Sequence, residues 1–306
     1  MKPVGIGIVG CAHACRDLHR PVITKQPELW EIRALYDLDR SRAESEAAEF
    51  GPPAEVMDSL DDLLTREDVE LVLVLTKPPT THHAVTMPAL RAGKHVMVEK
   101  PMAQTTAECD EMIAAAKEAG VVFTVHQNRR WDDDFTQTRD AIAAGLVGEP
   151  QFLRVWMNGA GWDWGVHVVD WMLQLARGNL VSLRGWAANP QAEDQGPACA
   201  ILDFDQRPQV ILDFLPGQKE EGDTPGFSFP LFYVLGEDSK VYVRPWNGQW
   251  PNMFPIYEEL YRAIREGAPV PVEPRSARND IYCLELMAES ARQGRPLPAD
   301  NWLPLD

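Results

Sequence analysis

The sequence predicts an α/β fold, with an N-terminal doubly wound parallel sheet followed by an α+β domain whose sheet is open and largely antiparallel. Three observations predict it. As far as Val125, short runs of Val, Ile and Leu recur without polar alternation, as strands buried on both faces do. Helical patterns separate those runs, and regular alternation of strand and helix means a parallel sheet. Beyond Val125, strands follow one another directly after one or two helices.

Taken in order, Val4–Val9 is an apolar run ending at Gly10, followed by a small-residue turn, Gly10-Cys11-Ala12-His13-Ala14, and a helical segment through Ile23. Trp30–Tyr36 is a second strand that closes on Asp37. Helices are expected over 42–50 and 60–64, and a strand of almost pure Val and Leu over 69–75. Thr76-Lys77-Pro78-Pro79-Thr80-Thr81-His82 is a turn opening a helix to Arg91, which Gly93 caps. A buried strand over 96–98 delivers Glu99 and Lys100 and stops at Pro101. Thr105 and Glu108 have the spacing of a capping box, so a helix runs from there to Gly120, before a strand over 121–125.

The second half carries a polar crossover, His126-Gln127-Asn128-Arg129-Arg130-Trp131, and helices over 133–144 and 165–175. Strands are expected over 151–158, 180–188, 198–204, 210–214 and 231–243, with Asp205-Gln206-Arg207-Pro208 as a hairpin connection. Residues 216–230, rich in Gly, Pro and charge, have the composition of a mobile loop. Helices over 256–266 and 277–292 close the chain. The expected division is residues 1–123 and 124–306.

Composition narrows the function classes. The 306 residues are 45% hydrophobic and 25% charged, ordinary for a water-exposed globular protein, and suit two domains. A net charge of −17 argues against nucleic acid or an anionic membrane as partner. The five cysteines, Cys11, Cys15, Cys109, Cys199 and Cys283, are scattered, which fits neither a disulfide framework nor a metal site. No apolar run approaches spanning length, and a strand begins almost at Met1, so a cytoplasmic location without a signal peptide is the expectation.

Three stretches carry chemistry. Strand, small-residue turn, helix, strand and acid form the dinucleotide-binding pattern, in which turn amides approach a pyrophosphate and Asp37 accepts from ribose hydroxyls. Asp37 would repel a 2′-phosphate, which favours NAD, while Arg40 beside it leaves NADP open. Ala12 replaces the second turn glycine, and a tight turn without ligand has the same local pattern. The second stretch is Glu99-Lys100-Pro101, charges at the carboxyl end of a parallel strand, where such sheets bind ligands; a surface ion pair is the alternative. The third is Gly161-Trp162-Asp163-Trp164-Gly165-Val166-His167-Val168-Val169-Asp170. Asp163 and His167 lie one helical turn apart, suited to proton transfer, unless His167 is simply satisfied by Asp170 in the core. Trp162 and Trp164 suit the C–H faces of sugars, or interdomain packing. Adjacent His82 and His83 point to different helix faces, so His82 is expected near a cofactor turn and His83 in solvent.

Together these stretches resemble the Gfo/Idh/MocA family of NAD(P)-dependent oxidoreductases, over nearly the whole chain. Gly93-Lys94-His95-Val96 leading to Glu99-Lys100-Pro101, and Asp163 to Asp170, carry the resemblance, and Asn128-Arg129-Arg130-Trp131-Asp132 is similar to one branch. The resemblance implies an N-terminal Rossmann-type domain binding NAD, with NADP as the other possibility, and a sugar, inositol or related polyol as substrate. It implies Lys100, His167 and Asp163 as catalytic residues. Gly10, Cys11, Ala12, His13, Asp37 and Arg40 would contact the cofactor, as would Thr76, Pro78, His82, Glu99, Lys100 and Asn128. Trp162, Trp164, Arg130, Asp163 and His167 would contact the substrate. The connection from Asn158 to Asp163 is shorter than in many members.

The expected activity is hydride transfer between a polyol or sugar hydroxyl and the cofactor. Two alternatives keep the fold: redox-neutral cleavage of a glycoside by transient oxidation, and a sugar-sensing regulator without catalysis. Alternating apolar strands such as the one carrying Val210, Leu212 and Phe214, with few helices to cover them, predict a homodimer or homotetramer built through the second sheet.

Overall fold

The computed structural model describes residues 2–158, 162–187, 198–215, 230–245 and 252–304. The chain forms two compact units, Met1–His126 with Met253–Arg278, and Gln127–Asn252 with Asn279–Asp306. It therefore does not divide at a single point near residue 123, because a late segment returns to the first unit.

The first unit is built on six parallel strands in the order β3-β2-β1-β4-β5-β6. These are β1 (Val4–Val9), β2 (Trp30–Tyr36), β3 (Glu55–Val56), β4 (Leu71–Val74), β5 (His95–Glu99) and β6 (Phe123–His126). β1 and β4 are buried along their whole length, which explains the unbroken apolar runs. Between strands run α1 (Arg20–Ile23), α2 (Arg40–Phe50), α3 (Leu60–Thr65), α4 (His82–Arg91) and α5 (Thr106–Ala119). The Thr105–Glu108 capping box forms at the start of α5, and Gly120 ends it at φ 66°. The helical segment after the first turn winds as a π-helix over Ala14–His19 before tightening into α1.

The returning segment supplies α8 (Phe254–Glu266), whose apolar side buries Ile256, Tyr257, Leu260 and Tyr261. Tyr257 and Tyr261 pack edge-on against Trp30, and Arg265 Nη1 donates to Glu70 Oε2 at 2.7 Å.

The second unit is a seven-stranded sheet ordered β12-β11-β7-β10-β9-β8-β13. Its strands are β7 (Phe152–Asn158), β8 (Leu180–Trp186), β9 (Cys199–Phe204), β10 (Gln209–Leu215), β11 (Leu231–Leu235), β12 (Val241–Pro245) and β13 (Leu297–Pro298). All neighbours are antiparallel except β7 and β10. The expected single strand over 231–243 is two strands, because Asp238 and Ser239 take positive φ (54° and 58°) and turn the chain. The expected hairpin at Asp205–Pro208 forms between β9 and β10. The loop expected over 216–230 lies outside the described residues except for Pro230. Helices α6 (Asp133–Ala143), α7 (Trp162–Leu175) and α9 (Pro274–Gln293) complete the chain. Val210, Leu212 and Phe214 are buried on the covered face of this sheet, so the open face is made by their alternates. Among the described residues, no helix is long and apolar enough to cross a membrane.

Candidate active site

The turn after β1 and the acid after β2 meet as the dinucleotide pattern requires. Asp37 accepts from the Cys11 N–H at 2.7 Å through Oδ2 and from the Asp39 N–H at 2.8 Å through Oδ1. Each carboxylate oxygen keeps further acceptor capacity for a ribose hydroxyl. No side chain caps the start of the helix that follows His13, which leaves its first amides for an anion. Gly10 sits at φ +96°, and a Cβ there would lie 2.8 Å from the backbone of Leu75 and Thr76. These residues fit a bound dinucleotide. Gly10→Ala is expected to lose about 1–2 kcal/mol of stability through the left-handed backbone and to weaken NAD binding about tenfold, measurable by NADH fluorescence titration; unchanged affinity would contradict the placement.

Cys11 is buried, and a hydrogen bond to Cys15 together with burial pushes its thiol far up, so it is not a nucleophile. His13 is exposed and pairs with Asp17 at 2.5 Å. Arg40 is held by Glu44 at 2.8 Å and by Asp58, with two carboxylates competing for the charge that a 2′-phosphate would need. Leu38, next to Asp37, is 94% exposed, a large apolar side chain left in solvent beside the ribose-binding acid.

At the carboxyl end of β5, Glu99 is buried and takes hydrogen bonds from two imidazoles on one oxygen: His19 Nε2 at 2.7 Å and His126 Nδ1 at 2.7 Å. Its Oε2 accepts the Lys100 N–H at 3.2 Å. Burial opposes the charge on Glu99, but His126 and the bonds from both rings outweigh it and hold the carboxyl well below the usual range. Burial brings His19 down to about 4, with His126 acting in the same direction. A divalent cation shared by these groups would hold its donor atoms about 3.3 Å apart in a tetrahedral shell, whereas the 2.7 Å separations are those of hydrogen bonds. Glu99 thus anchors the Lys100 corner.

On the other side of Lys100, His82 is buried with Nδ1 2.7 Å from the Pro101 carbonyl and Nε2 3.0 Å from the Thr76 carbonyl. It ties the turn after β4 to the turn after β5, while Thr76 Oγ1 accepts from Thr81 Oγ1 at 2.6 Å. Pro78 precedes the single turn Pro79–Thr81. His83 is half-buried beside Glu111 at 2.9 Å rather than fully solvated.

In the second unit, α7 packs on β7 and β10 and buries Val166, Val168, Val169 and Trp171. His167 is buried on the same helix. Trp162 and Asp163 occupy its first turn, with side chains outside the described part of the structure. Asp170 accepts from Arg130, whose Nε lies 3.0 Å from both of its oxygens. Arg130, expected at the substrate, pairs with Asp170 through Nε and Nη2. Beneath them, burial and then the Asp170 carboxylate push Asp280 well up, and Gln127 donates to it at 2.9 Å. Trp164 is 39% exposed and carries the Arg129 guanidinium over its ring at 4.9 Å, so that face is already occupied. Asn128 is buried at the start of the single turn Asn128–Trp131.

Comparison with known proteins agrees with this geometry. Residues 4–127 match the model of the oxidoreductase family with an NAD-binding Rossmann fold. The scyllo-inositol 2-dehydrogenase (NADP(+)) IolW of Bacillus subtilis is 27% identical over 97% of this chain and 96% of its own. The chain belongs to the Gfo/Idh/MocA family. As a member of the Gfo/Idh/MocA family it is an oxidoreductase, and its first unit is an NAD-binding Rossmann domain. The inositol 2-dehydrogenase of Salmonella paratyphi B is 30% identical over 48% of this chain and 42% of its own. The WlbA dehydrogenase of Bordetella pertussis, solved with NADH and UDP-GlcNAcA, shares the fold at a TM-score of 0.82 and 19% identity, over 99% of this chain and 100% of that one.

Sequence reasoning missed His19, His126, Tyr257, Leu38 and Asp280. One signal was present: Glu99 and His126 each end an apolar strand with a polar side chain, and in the parallel register they are partners. The others had none, since nothing local marks a helical His or Tyr as the partner of a distant carboxylate.

Proposed function

We propose that the protein is an NAD-dependent dehydrogenase of polyol or sugar hydroxyls, with Lys100 polarising the reacting oxygen and His167 taking its proton. The observation that carries this reading is Lys100 itself, half-buried at the carboxyl end of β5 between two fixed points, the Glu99 carboxylate and the His82-held Pro101 carbonyl. A structural lysine has no need of such fixing on both sides. Bound NAD supplies a hydride acceptor. This chain's own residues do the rest: Lys100 orients the hydroxyl and stabilises charge on its oxygen, His167 accepts the proton, and Asp163 binds a neighbouring hydroxyl. Leu38 covers the adenine. The inositol dehydrogenases among its relatives make inositols the first substrates to try. A screen of inositols, sugars and sugar acids, read by NADH absorbance, tests the reading. Turnover with at least one polyol supports it. Product formed without NADH accumulating would favour redox-neutral cleavage and overturn it.

Cofactor preference follows from Asp37 and the engaged Arg40. NAD is expected to bind about tenfold or more tighter than NADP, since a phosphate beside an exposed carboxylate costs on the order of 1 kcal/mol. Calorimetric titration of both checks it, and tighter NADP binding would show that Arg40 leaves Glu44 and Asp58.

The same reading includes a homo-oligomer built through the open face of the second sheet. By register, that face carries Val241 and Val243, then Tyr233, Trp156, Ile211, Ile201 and Trp186. Val241, Val243 and Trp186 are 50%, 49% and 41% exposed, so apolar surface is open towards both sides of the face, with Arg154 paired to Asp213 and lying over Trp156 between them. Light scattering is expected to return a multiple of the 34.3 kDa chain mass, and Val243→Lys to shift it towards monomer. A monomer mass for the parent protein at micromolar concentration would be decisive against it.

A further inference from the structure

We infer that Tyr257, acting through His19 and Glu99, is a positioning residue for Lys100. The inference rests on the reading above that Lys100 works at the reacting oxygen. The hydrogen bonds run as one chain within the first unit. Tyr257 Oη lies 2.5 Å from His19 Nδ1, His19 Nε2 lies 2.7 Å from Glu99 Oε1, and Glu99 Oε2 accepts the Lys100 N–H at 3.2 Å.

Proton placement along this chain is determined by what each group can do. A carboxylate only accepts, so His19 carries its proton on Nε2. The ring is neutral, since burial makes the charged form costly, so Nδ1 offers a lone pair. Tyr257, buried completely, keeps its hydroxyl proton and donates it there. The carboxylate selects this tautomer, and the hydroxyl satisfies the ring's other nitrogen and fixes its angle. Without it, Nδ1 is a buried lone pair that has lost the Tyr257 hydroxyl, and the ring turns from the position in which Nε2–H meets Glu99. The loosened carboxylate in turn holds the Lys100 N–H less firmly. The opposite arm offers no substitute. His126 also donates to Glu99 and packs on His19, but its Nε2 is buried with no hydrogen-bond partner among the described residues, so that arm ends at the ring.

Tyr257→Phe keeps the ring volume and removes only the hydroxyl. Nitrogen and proton NMR of histidine-labelled protein is expected to show a sharp His19 Nε2–H resonance, protected from exchange, in the parent and a broadened, rapidly exchanging one in the variant. Turnover on a substrate found in the screen should fall about tenfold, the scale of losing a partner that orients a working group, while the KM for NAD stays within about twofold. Glu99→Gln, which replaces an accepting oxygen with a donor, should lower turnover similarly with the same unchanged KM for NAD. In a Lys100→Met background, adding Tyr257→Phe should cause no further loss. A variant that keeps the sharp, protected Nε2–H resonance, or keeps turnover within about twofold of the parent, overturns the inference, as does additive loss in the Lys100→Met background. Lys100→Met retaining full turnover would instead overturn the catalytic reading itself, so the two failures are distinct. If Tyr257→Phe does not fold, Glu99→Gln carries the decision, and unchanged turnover there overturns the inference equally.

Discussion

Lys100→Met is expected to leave NAD binding nearly intact while lowering turnover by about two to four orders of magnitude, the usual scale of an acid–base group. Methionine keeps most of the stem's volume and removes the ammonium. The corner that presents the side chain is held through its backbone: the Lys100 N–H bonds Glu99 Oε2 at 3.2 Å and the Pro101 carbonyl bonds His82 at 2.7 Å. The substitution leaves both of these bonds in place. Steady-state rates beside an NADH titration separate turnover from cofactor binding. Full activity would mean that the site is wrongly placed, and lost NAD binding would mean that Lys100 anchors the cofactor. His167→Ala is expected to cost a comparable factor, since the same step loses its proton acceptor.

Acid should destabilise the protein earlier than carboxylate titration alone would. His19 is pulled down to about 4 when folded, by burial first and by His126 second, from 6.5 when unfolded. The unfolded chain thus binds a proton near pH 6.5 that the folded chain refuses. Stability from this group is fully present above pH 6.5 and lost as pH falls through about 4, a total of about 3 kcal/mol. Glu99, held below its usual range, acts with the same sign in the lower part of that window. His82, also lowered by burial, adds to the upper part. Urea midpoints at pH 7.5, 6, 5 and 4 would show the decline. His19→Gln, which can still donate to Glu99 but does not titrate, should flatten much of it. A midpoint constant down to pH 5 in the parent protein would refute the assignment.

Elements that bury both faces or end in local capping chemistry were legible in the sequence. β1 and β4 show unbroken apolar runs because neither face meets water, and α5 shows its start because Thr105 and Glu108 satisfy backbone groups a few residues away. The turn at Asp238 and Ser239 was not, because neither residue type demands a positive φ and the flanking residues continue a strand composition. Nor was the parallel pairing of β7 with β10, which depends on which strands the fold brings together rather than on composition. The site divides along the same line. Asp37 and Lys100 stand just past strand ends, which the apolar runs before them mark in the sequence. The partners that fix Glu99 and Asp170 lie far away in the chain, at His19, His126 and Arg130, and only packing brings them near. Arg130 pairs with Asp170, a partner forty residues away that no local pattern marks.

The return of Met253–Arg278 to the first unit also sets a timetable for biosynthesis. The six-stranded sheet is complete once His126 leaves the ribosome, yet α8 is not translated until about 130 residues later, roughly 6 to 25 s at ordinary elongation rates. Through that interval the nascent domain displays Trp30 and His19 without the tyrosines that cover them, and Glu70 without Arg265. A ribosome stalled after His126 has emerged but before α8 is made should therefore present a protease-sensitive, chaperone-binding intermediate, and emergence of the helix should convert it abruptly to a resistant domain.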